Sequence, residues 1–207
     1  EVSTLAGSGA VGSPPKDGKG AAATFYYPTG IDIDHSGNLY VSDRVPARIR
    51  RVSAEGDVVT VAGGTEGNAD GQGSKAGFDE PCGLALGKAG VVYIADRNNM
   101  RIRAMTSAGL VSTFAGSFGG HQDATGTNAK FFYPMDIAAD ATGTLYVADM
   151  LNHRIRTIAT DATATTLAGQ AAKGQTDAKG AGASFNGPSG LDVDAAGVVW
   201  VSDTGNH

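Results

Sequence analysis

The chain has 207 residues, of which 41 % are hydrophobic and 18 % charged, and it carries 31 glycines and a formal net charge of −5. This composition favours a globular, turn-rich chain over a disordered one, and the negative charge disfavours nucleic acid as a partner. No apolar run approaches the ~18 residues that a bilayer-spanning helix needs, so we expect no membrane insertion in this segment. The single cysteine, Cys82, excludes a disulfide within the chain.

Short β-rich segments follow one another along the chain. The N-terminal letters EVSTLAG (1–7) predict an outer strand. Four further strands are predicted at GIDID (30–34), NLYVSD (38–43), RIRRVS (48–53) and DVVTVAG (57–63). Turn-forming letters such as HSG, RVPA and AEG separate them. Because no window shows a helical stripe of apolar residues, the sequence predicts an all-β fold.

This strand pattern occurs four times. Each copy begins with Phe-x-x-Pro and ends its second strand with an aspartate, and successive aspartates lie 53, 53 and 54 residues apart. Four antiparallel strands repeated about every 50 residues are typical of β-propeller blades. We therefore predict a single propeller domain over 1–207, with repeats at about 1–56, 57–109, 110–162 and 163–207, the last one incomplete.

The third copy reads FFYPMDIAADATGTLYVADMLNHRIRTIA (131–159) and resembles the NHL-repeat β-propellers, which are named for an Asn-His-Leu motif. The first copy departs from the family pattern at Val45, Pro46 and Ala47. The resemblance implies a propeller of six blades. Since the sequence stops at Asn206 and His207, just before the Arg-Ile-Arg of the pattern, we expect this chain to be part of a longer propeller.

Residues that recur in every copy are interpreted as structural. The first phenylalanine of each Phe-x-x-Pro predicts a plug between blades, at Phe25, Phe78, Phe131 and Phe185. The repeated aspartates predict a charge and turn network with the arginine that begins the third strand. Its members are Asp43, Asp96, Asp149 and Asp203 with Arg48, Arg101 and Arg154. A second aspartate set in Asp-x-x-Gly loops, at Asp17, Asp70, Asp123 and Asp177, predicts turns in which the side chain caps its own backbone.

Three aspartates break the repeat and are the candidates for a ligand site. Asp32 and Asp192 stand in the inner strand where other copies have alanine, and Asp136 stands where other copies have glycine. One interpretation is a channel cation such as calcium; the alternative, which we favour, is that acids simply face a solvated channel mouth. Calcium takes at least about six oxygen ligands, far more than these residues supply. We predict no catalytic residue, no resident cofactor and no histidine metal site.

Three classes of function remain open. The first is a noncatalytic structural or interaction module for proteins or glycans, as part of a larger extracellular or cell-surface protein. The loops after each Ala-Gly, which vary in length, favour it. The second, implied by the family resemblance, is part of a metal-dependent lyase, lactonase or hydrolase with its site on other blades. The third is an RNA-binding NHL domain, which the net negative charge disfavours.

Overall fold

The computed structural model describes residues 1–9 and 15–207, and its strands form four antiparallel sheets. Residues 10–14, which belong to the first variable loop, lie outside the described residues. Within the described part of the chain, the helical segments are single 3₁₀ turns of three residues. None of its helices is long and apolar enough to cross a membrane. The all-β propeller architecture expected from the repeat is confirmed.

The first three sheets, blades I to III, have five strands each. In each blade the inner strand is followed along the chain by two middle strands and an outer strand. A two-residue strand that precedes the inner strand in the sequence pairs with the outer strand. Blade I contains β1 (Gly18–Lys19), β2 (Pro28–Ile33), β3 (Leu39–Asp43), β4 (Arg48–Val52) and β5 (Asp57–Gly63). Blade II contains β6 (Gly71–Gln72), β7 (Pro81–Leu86), β8 (Val92–Asp96), β9 (Arg101–Met105) and β10 (Leu110–Ala115).

Blade III contains β11 (Ala124–Thr125), β12 (Pro134–Ala139), β13 (Leu145–Asp149), β14 (Arg154–Ile158) and β15 (Thr163–Gly169). The fourth sheet, called sheet IV, has only β16 (Pro188–Val193) and β17 (Val199–Asp203) among the described residues. The inner strands β2, β7, β12 and β16 lie side by side. They form the wall of the propeller axis, and the longer sheets radiate from it.

Two expectations about strands need correction. The N-terminal segment 1–7 is not a strand, because no neighbouring strand lies alongside it to complete a ladder. It still covers blade I, and Gly7 N–H donates to Gly20 O at 3.1 Å. The sequence did not predict the short strands β1, β6 and β11, because two residues are too few to show an alternating pattern.

Phenylalanine plugs seal the contacts between blades. Phe78 is fully buried in a core that joins Ile49 and Ala62 of blade I to Ile94 and Met105 of blade II. Phe131 occupies the same position between blades II and III and is also fully buried. Phe25 and Phe185, at the two ends of the arc, are partly exposed. The two contacts between complete blades are therefore closed by an aromatic side chain that the following blade supplies.

Glycine is required where the inner strands converge. A Cβ on Gly30 would overlap the carbonyl oxygen of Cys82 on the next inner strand. A Cβ on Gly83 would overlap the side chain of Asp136 in the same way. The space between the inner strands of blades II and III therefore holds one side chain beside Gly83, and that side chain is Asp136.

Candidate functional site

A buried arginine lies at the centre of each complete blade. Arg50, Arg103 and Arg156 have no exposed surface, and each donates from Nη1 to the aspartate that ends the preceding strand. The Nη1–Oδ2 distances are 2.9 Å to Asp43, 2.8 Å to Asp96 and 2.9 Å to Asp149. All three aspartates are fully buried as well. These ion pairs are internal to the blades.

The structure corrects the predicted partner of these aspartates. Arg48 is opposite Asp43 in the strand register, but its Nη1 donates to the carbonyl oxygen of Pro15 at 3.2 Å. Arg101 and Arg154 likewise donate to backbone carbonyls, those of Asn68 and Asn152. The arginine two residues further along the strand points to the same face but is fully buried, and from that deeper position its side chain reaches the aspartate.

The loop aspartates complete the same arrangement. Asp17 accepts a 2.8 Å hydrogen bond from Arg50 Nη2 and further bonds from the backbone N–H and hydroxyl of Thr60 on the outer strand. Asp70 and Asp123 bind Arg103 and Arg156 in the same way. These carboxylates therefore tie the loop to the outer strand, and the prediction that they cap their own turns is wrong.

Burial and hydrogen bonding act in opposite directions on the two aspartate sets. Burial raises the pKa of Asp43, Asp96 and Asp149, that of Asp149 to about 6, against the lowering effect of their hydrogen bonds. In the loop set, burial also favours the neutral form, but bonds from threonine and arginine hold the pKa of Asp17, Asp70 and Asp123 below its usual range. Burial therefore dominates at the blade centres, whereas hydrogen bonding dominates in the loops.

The axial cleft contains the three aspartates that break the repeat. It has a volume of about 600 Å³. It opens at the C-terminal end of the inner strands, where each inner strand turns into the first middle strand, as between β2 and β3. Asp32 Oδ2 accepts a 2.7 Å bond from Leu86 N–H of the next inner strand. Its Oδ1 accepts one from Ile33 N–H, also at 2.7 Å. This carboxylate therefore links the adjacent inner strands of blades I and II.

Asp136 makes the corresponding link from blade III to sheet IV. Its Oδ2 accepts from Leu191 N–H at 3.0 Å and its Oδ1 from Ile137 N–H at 2.9 Å. Burial raises the pKa of Asp136, and the charge of Asp192 raises it further. Asp192 itself is exposed and accepts from Val193 N–H at 2.8 Å. Within residues 1–9 and 15–207, no three histidine, cysteine or acidic side chains are grouped to hold a metal ion.

The linking role of Asp32 predicts a measurable difference between two related positions. Asp32→Ala should lower the free energy of unfolding by about 1–2 kcal/mol, because Leu86 N–H then loses its acceptor in the blade contact. Asp192→Ala removes only a bond within its own strand. Urea unfolding of the two variants checks this, and equal losses would contradict it.

A second candidate surface lies at the opposite end of the inner strands, where the Phe-x-x-Pro turns meet the turns between the two middle strands. We call it the Phe-x-x-Pro end and define it by Tyr27, Arg44, Glu80, Arg97 and Tyr133. Arg44 Nη2 lies 2.6 Å from Glu80 Oε1, and Arg97 Nη1 bonds Glu80 Oε2. The Arg97 guanidinium lies 4.7 Å from the centre of the Tyr133 ring. These five side chains run across blades I to III.

Sequence reasoning missed this end of the molecule, although a signal was present. The residue before the proline of each Phe-x-x-Pro is Tyr27, Glu80, Tyr133 or Gly187, so the motif repeats while this side chain changes. All four have positive φ, between 52° and 69°. Three non-glycine residues thus adopt a backbone conformation that favours glycine. The repeated turn thus keeps its backbone conformation while its side chain changes.

Comparison with known proteins agrees with the repeat architecture. A family model described as NHL repeat matches residues 78–105 and 185–207. NHL repeat-containing protein 2 of Bos taurus is 32 % identical over 150 residues, which cover 64 % of this chain and 20 % of that protein. The chain therefore spans about a fifth of the length of this curated relative.

Two solved structures share the fold. An auxiliary nutrient binding protein from Bacteroides thetaiotaomicron matches with a TM-score of 0.68 at 19 % identity, over 86 % of this chain and 45 % of that chain. A catalytically inactive virginiamycin B lyase from Staphylococcus aureus, solved with quinupristin, matches with a TM-score of 0.60 at 17 % identity, over 86 % of this chain and 50 % of that chain. A binding protein and a lyase use the same architecture, so these likenesses show the fold alone.

Proposed function

Since the chain carries NHL repeats folded as β-propeller blades, we propose that it is a noncatalytic interaction module that binds another protein through its Phe-x-x-Pro end. The observation that carries the proposal is the turn position shared by Tyr27, Glu80 and Tyr133. Its strained backbone is repeated from blade to blade, while its side chains differ. A purely structural position would favour glycine, which the fourth copy has at Gly187.

The side chains at this end suit a protein partner. Tyrosine and arginine are the residue types that most often dominate binding energy at protein interfaces. Tyr27 is 61 % exposed and stacks edge-on against Tyr26 with ring centres 4.8 Å apart, so it presents a large and rigid apolar surface. Glu80 holds Arg44 and Arg97 in place, and its hydrogen bond raises the pKa of Arg44 further. These guanidinium groups are therefore pre-organised.

The buried charges support the absence of a catalytic role for the complete blades. Every Asp–Arg pair at a blade centre is sealed from solvent and occupied by its own strands. Two of the three axial aspartates accept hydrogen bonds from neighbouring inner strands. These acids hold the framework together. We further propose an extracellular or cell-surface setting, in which a glycan is the second type of ligand to test at Tyr27 and Tyr133.

The test is a comparison of three forms of the chain in affinity capture from extracellular and membrane extracts. The wild-type chain and a His35→Ala variant, altered at the opposite end, should retain the same specific protein. A Tyr27→Ala/Tyr133→Ala double variant should retain it at least ~10-fold less, as loss of hot-spot residues predicts. Capture that does not differ between wild-type chain and double variant would overturn the proposal.

Parallel assays distinguish the other classes of function. Binding to a glycan array that depends on the two tyrosines would identify a carbohydrate ligand. A salt-dependent shift of RNA mobility would favour the RNA-binding class. A metal ion retained through dialysis, together with hydrolase or lyase activity, would favour an enzyme and contradict a noncatalytic role.

A further inference from the structure

Two arginines at the centre of the Phe-x-x-Pro end share a single carboxylate. Glu80 Oε1 lies 2.6 Å from Arg44 Nη2, and Glu80 Oε2 accepts from Arg97 Nη1. Two cations and one anion leave one positive charge without a counter-charge. The described contacts give neither guanidinium a second acceptor, although each carries N–H groups on all of its nitrogen atoms. The pair therefore keeps both charge and hydrogen-bond donors for a further acceptor.

Partial burial holds both arginines in place. The side chain of Arg44 is 33 % exposed and that of Arg97 is 21 % exposed, so part of each guanidinium is removed from water. The Tyr133 ring centre lies 4.7 Å from the Arg97 guanidinium, and Arg44 N–H donates to Tyr27 O at 3.2 Å. A partly desolvated charge attracts an anion more strongly than a fully hydrated one. An ordered side chain also loses less entropy when it binds.

The arginine pair is a departure from the repeat. The residue that follows the aspartate at the end of the second strand is, in the four copies, Arg44, Arg97, Met150 and Thr204. Since blade III folds with a methionine there, the blade does not require a cation at this position. One arginine would also be enough to neutralise Glu80. The second arginine therefore favours a role in binding over a role in the framework.

The turns around the pair add further positive charge. In blades I to III these turns are residues 25–28, 43–48, 78–81, 96–101, 131–134 and 149–154. Apart from the buried aspartates, which the buried arginines neutralise, they contain the cations Arg44, Arg48, Arg97, Arg101 and Arg154 and the acids Asp79 and Glu80. The three arginines outside the pair donate to backbone carbonyl oxygens. This end is therefore locally positive on a chain whose formal net charge is −5.

We propose, on the basis of the function proposed above, that the Phe-x-x-Pro end binds an acidic segment of a partner protein, with an aspartate or glutamate carboxylate between Arg44 and Arg97. The carboxylate accepts from guanidinium N–H groups that Glu80 does not use, in charge-assisted bonds. A nucleic acid would need an extended positive surface, which the negative net charge and the acids Asp79 and Glu80 oppose. A short acidic segment needs only the arginine pair.

The test selects binders for the full chain from a displayed library of short random peptides. We expect the selected peptides to be enriched in aspartate and glutamate. Synthetic copies of them should bind Arg44→Gln and Arg97→Gln at least ~10-fold more weakly than the wild-type chain. Arg51→Gln is the matched control and should bind as the wild-type chain does. It removes the same charge from β4, but the charge of Arg51 acts on Asp34, which lines the axial cleft at the opposite end.

A charge reversal separates binding from a purely structural role of the two arginines. The Arg44→Glu/Arg97→Glu variant should select peptides enriched in lysine and arginine instead of acidic residues. Loss of an ion pair between blades I and II would weaken the fold, but it would not reverse the charge preference of the selected peptides. Far-UV circular dichroism and urea unfolding check that each variant is folded.

The inference would be overturned by a selection that yields no binders, by binders without an excess of acidic residues, or by equal binding to the wild-type, Arg44→Gln and Arg97→Gln chains. RNA binding that is lost in the arginine variants, without acidic peptide binders, would also overturn it. Peptides that depend on Tyr27 and Tyr133 but not on the arginines would contradict it and still support the proposed function. Acidic peptides that depend on the arginines but not on the tyrosines would support it and contradict the tyrosine role.

Discussion

Replacing Arg103 with alanine is expected to lower the free energy of unfolding by about 3–5 kcal/mol, as measured by urea unfolding. The change leaves the fully buried Asp96 without its ionic partner and removes the link from Asp70 to the blade centre. It also leaves a cavity against the Phe78 ring, whose centre lies 5.3 Å from the guanidinium.

Arg101→Ala is the matched control, because Arg101 lies two residues earlier on the same strand and is partly exposed. Its side chain donates to the carbonyl oxygen of Asn68 and makes no ion pair with Asp96 among the described contacts. We expect a loss within about 1 kcal/mol. A larger loss for Arg101→Ala than for Arg103→Ala would show that the sequence-based pairing was right and the structural assignment wrong.

The Arg103→Ala variant should also acquire a pH dependence. Burial raises the pKa of Asp96 even beside Arg103, and without the cation the folded-state pKa rises further above its unfolded value. A raised folded pKa stabilises the fold below the unfolded pKa, and that stabilisation is lost as pH rises through the folded value. The deficit of the variant relative to wild type should therefore be larger at pH 8 than at pH 5. Unfolding curves at both values measure it.

Phe131→Ala is expected to destabilise the chain by about 3–5 kcal/mol, since it opens a cavity at the contact between blades II and III. Phe131 is fully buried among side chains of both blades, such as Ile102 and Val147, and its ring also lies 5.0 Å from the Arg156 guanidinium. Phe131→Leu keeps most of the apolar volume but removes the cation–π contact, and should lose less.

Phe118→Ala is the control for this prediction. Phe118 is 76 % exposed, so its removal should change stability by no more than about 0.5 kcal/mol. Thermal and urea unfolding of Phe131→Ala, Phe131→Leu and Phe118→Ala distinguish the stability that comes from apolar burial from that which comes from the aromatic ring. A loss for Phe131→Ala as small as that for Phe118→Ala would contradict the role of the phenylalanine as a plug between blades.

Much of the fold could be predicted because each repeat carries local and periodic signals. The β-branched and aromatic residues of 38–43, the alternation in 48–53 and the turn letters between them predicted β3 and β4 to within one residue at each end. The phenylalanine plugs followed from their recurrence in all four copies. By contrast, 1–7 has the composition of an outer strand but no strand beside it, and strand formation depends on a partner that composition does not supply.

The candidate site was less predictable, because its contacts join residues far apart in sequence. Asp32 was singled out as a break in the repeat, but its bond to Leu86, 54 residues away, depends on how two inner strands meet. The chain of contacts through Arg44, Glu80 and Arg97 crosses between blades in the same way. The local sequence pattern that indicated the Phe-x-x-Pro end was the residue before each proline, which changes from one repeat to the next.

Sequence alone determined that this chain is a repeated β-sheet protein, because period, turn residues and strand alternation are local properties. Tertiary structure alone decided which of two arginines on one strand is buried against Asp43, since both are present in the pattern and only their depth in the blade separates them. It also placed Asp177 and Asp203 beside one cleft. Their proximity depends on how the loop that carries Asp177 lies against the end of β17, which local sequence signals do not reveal.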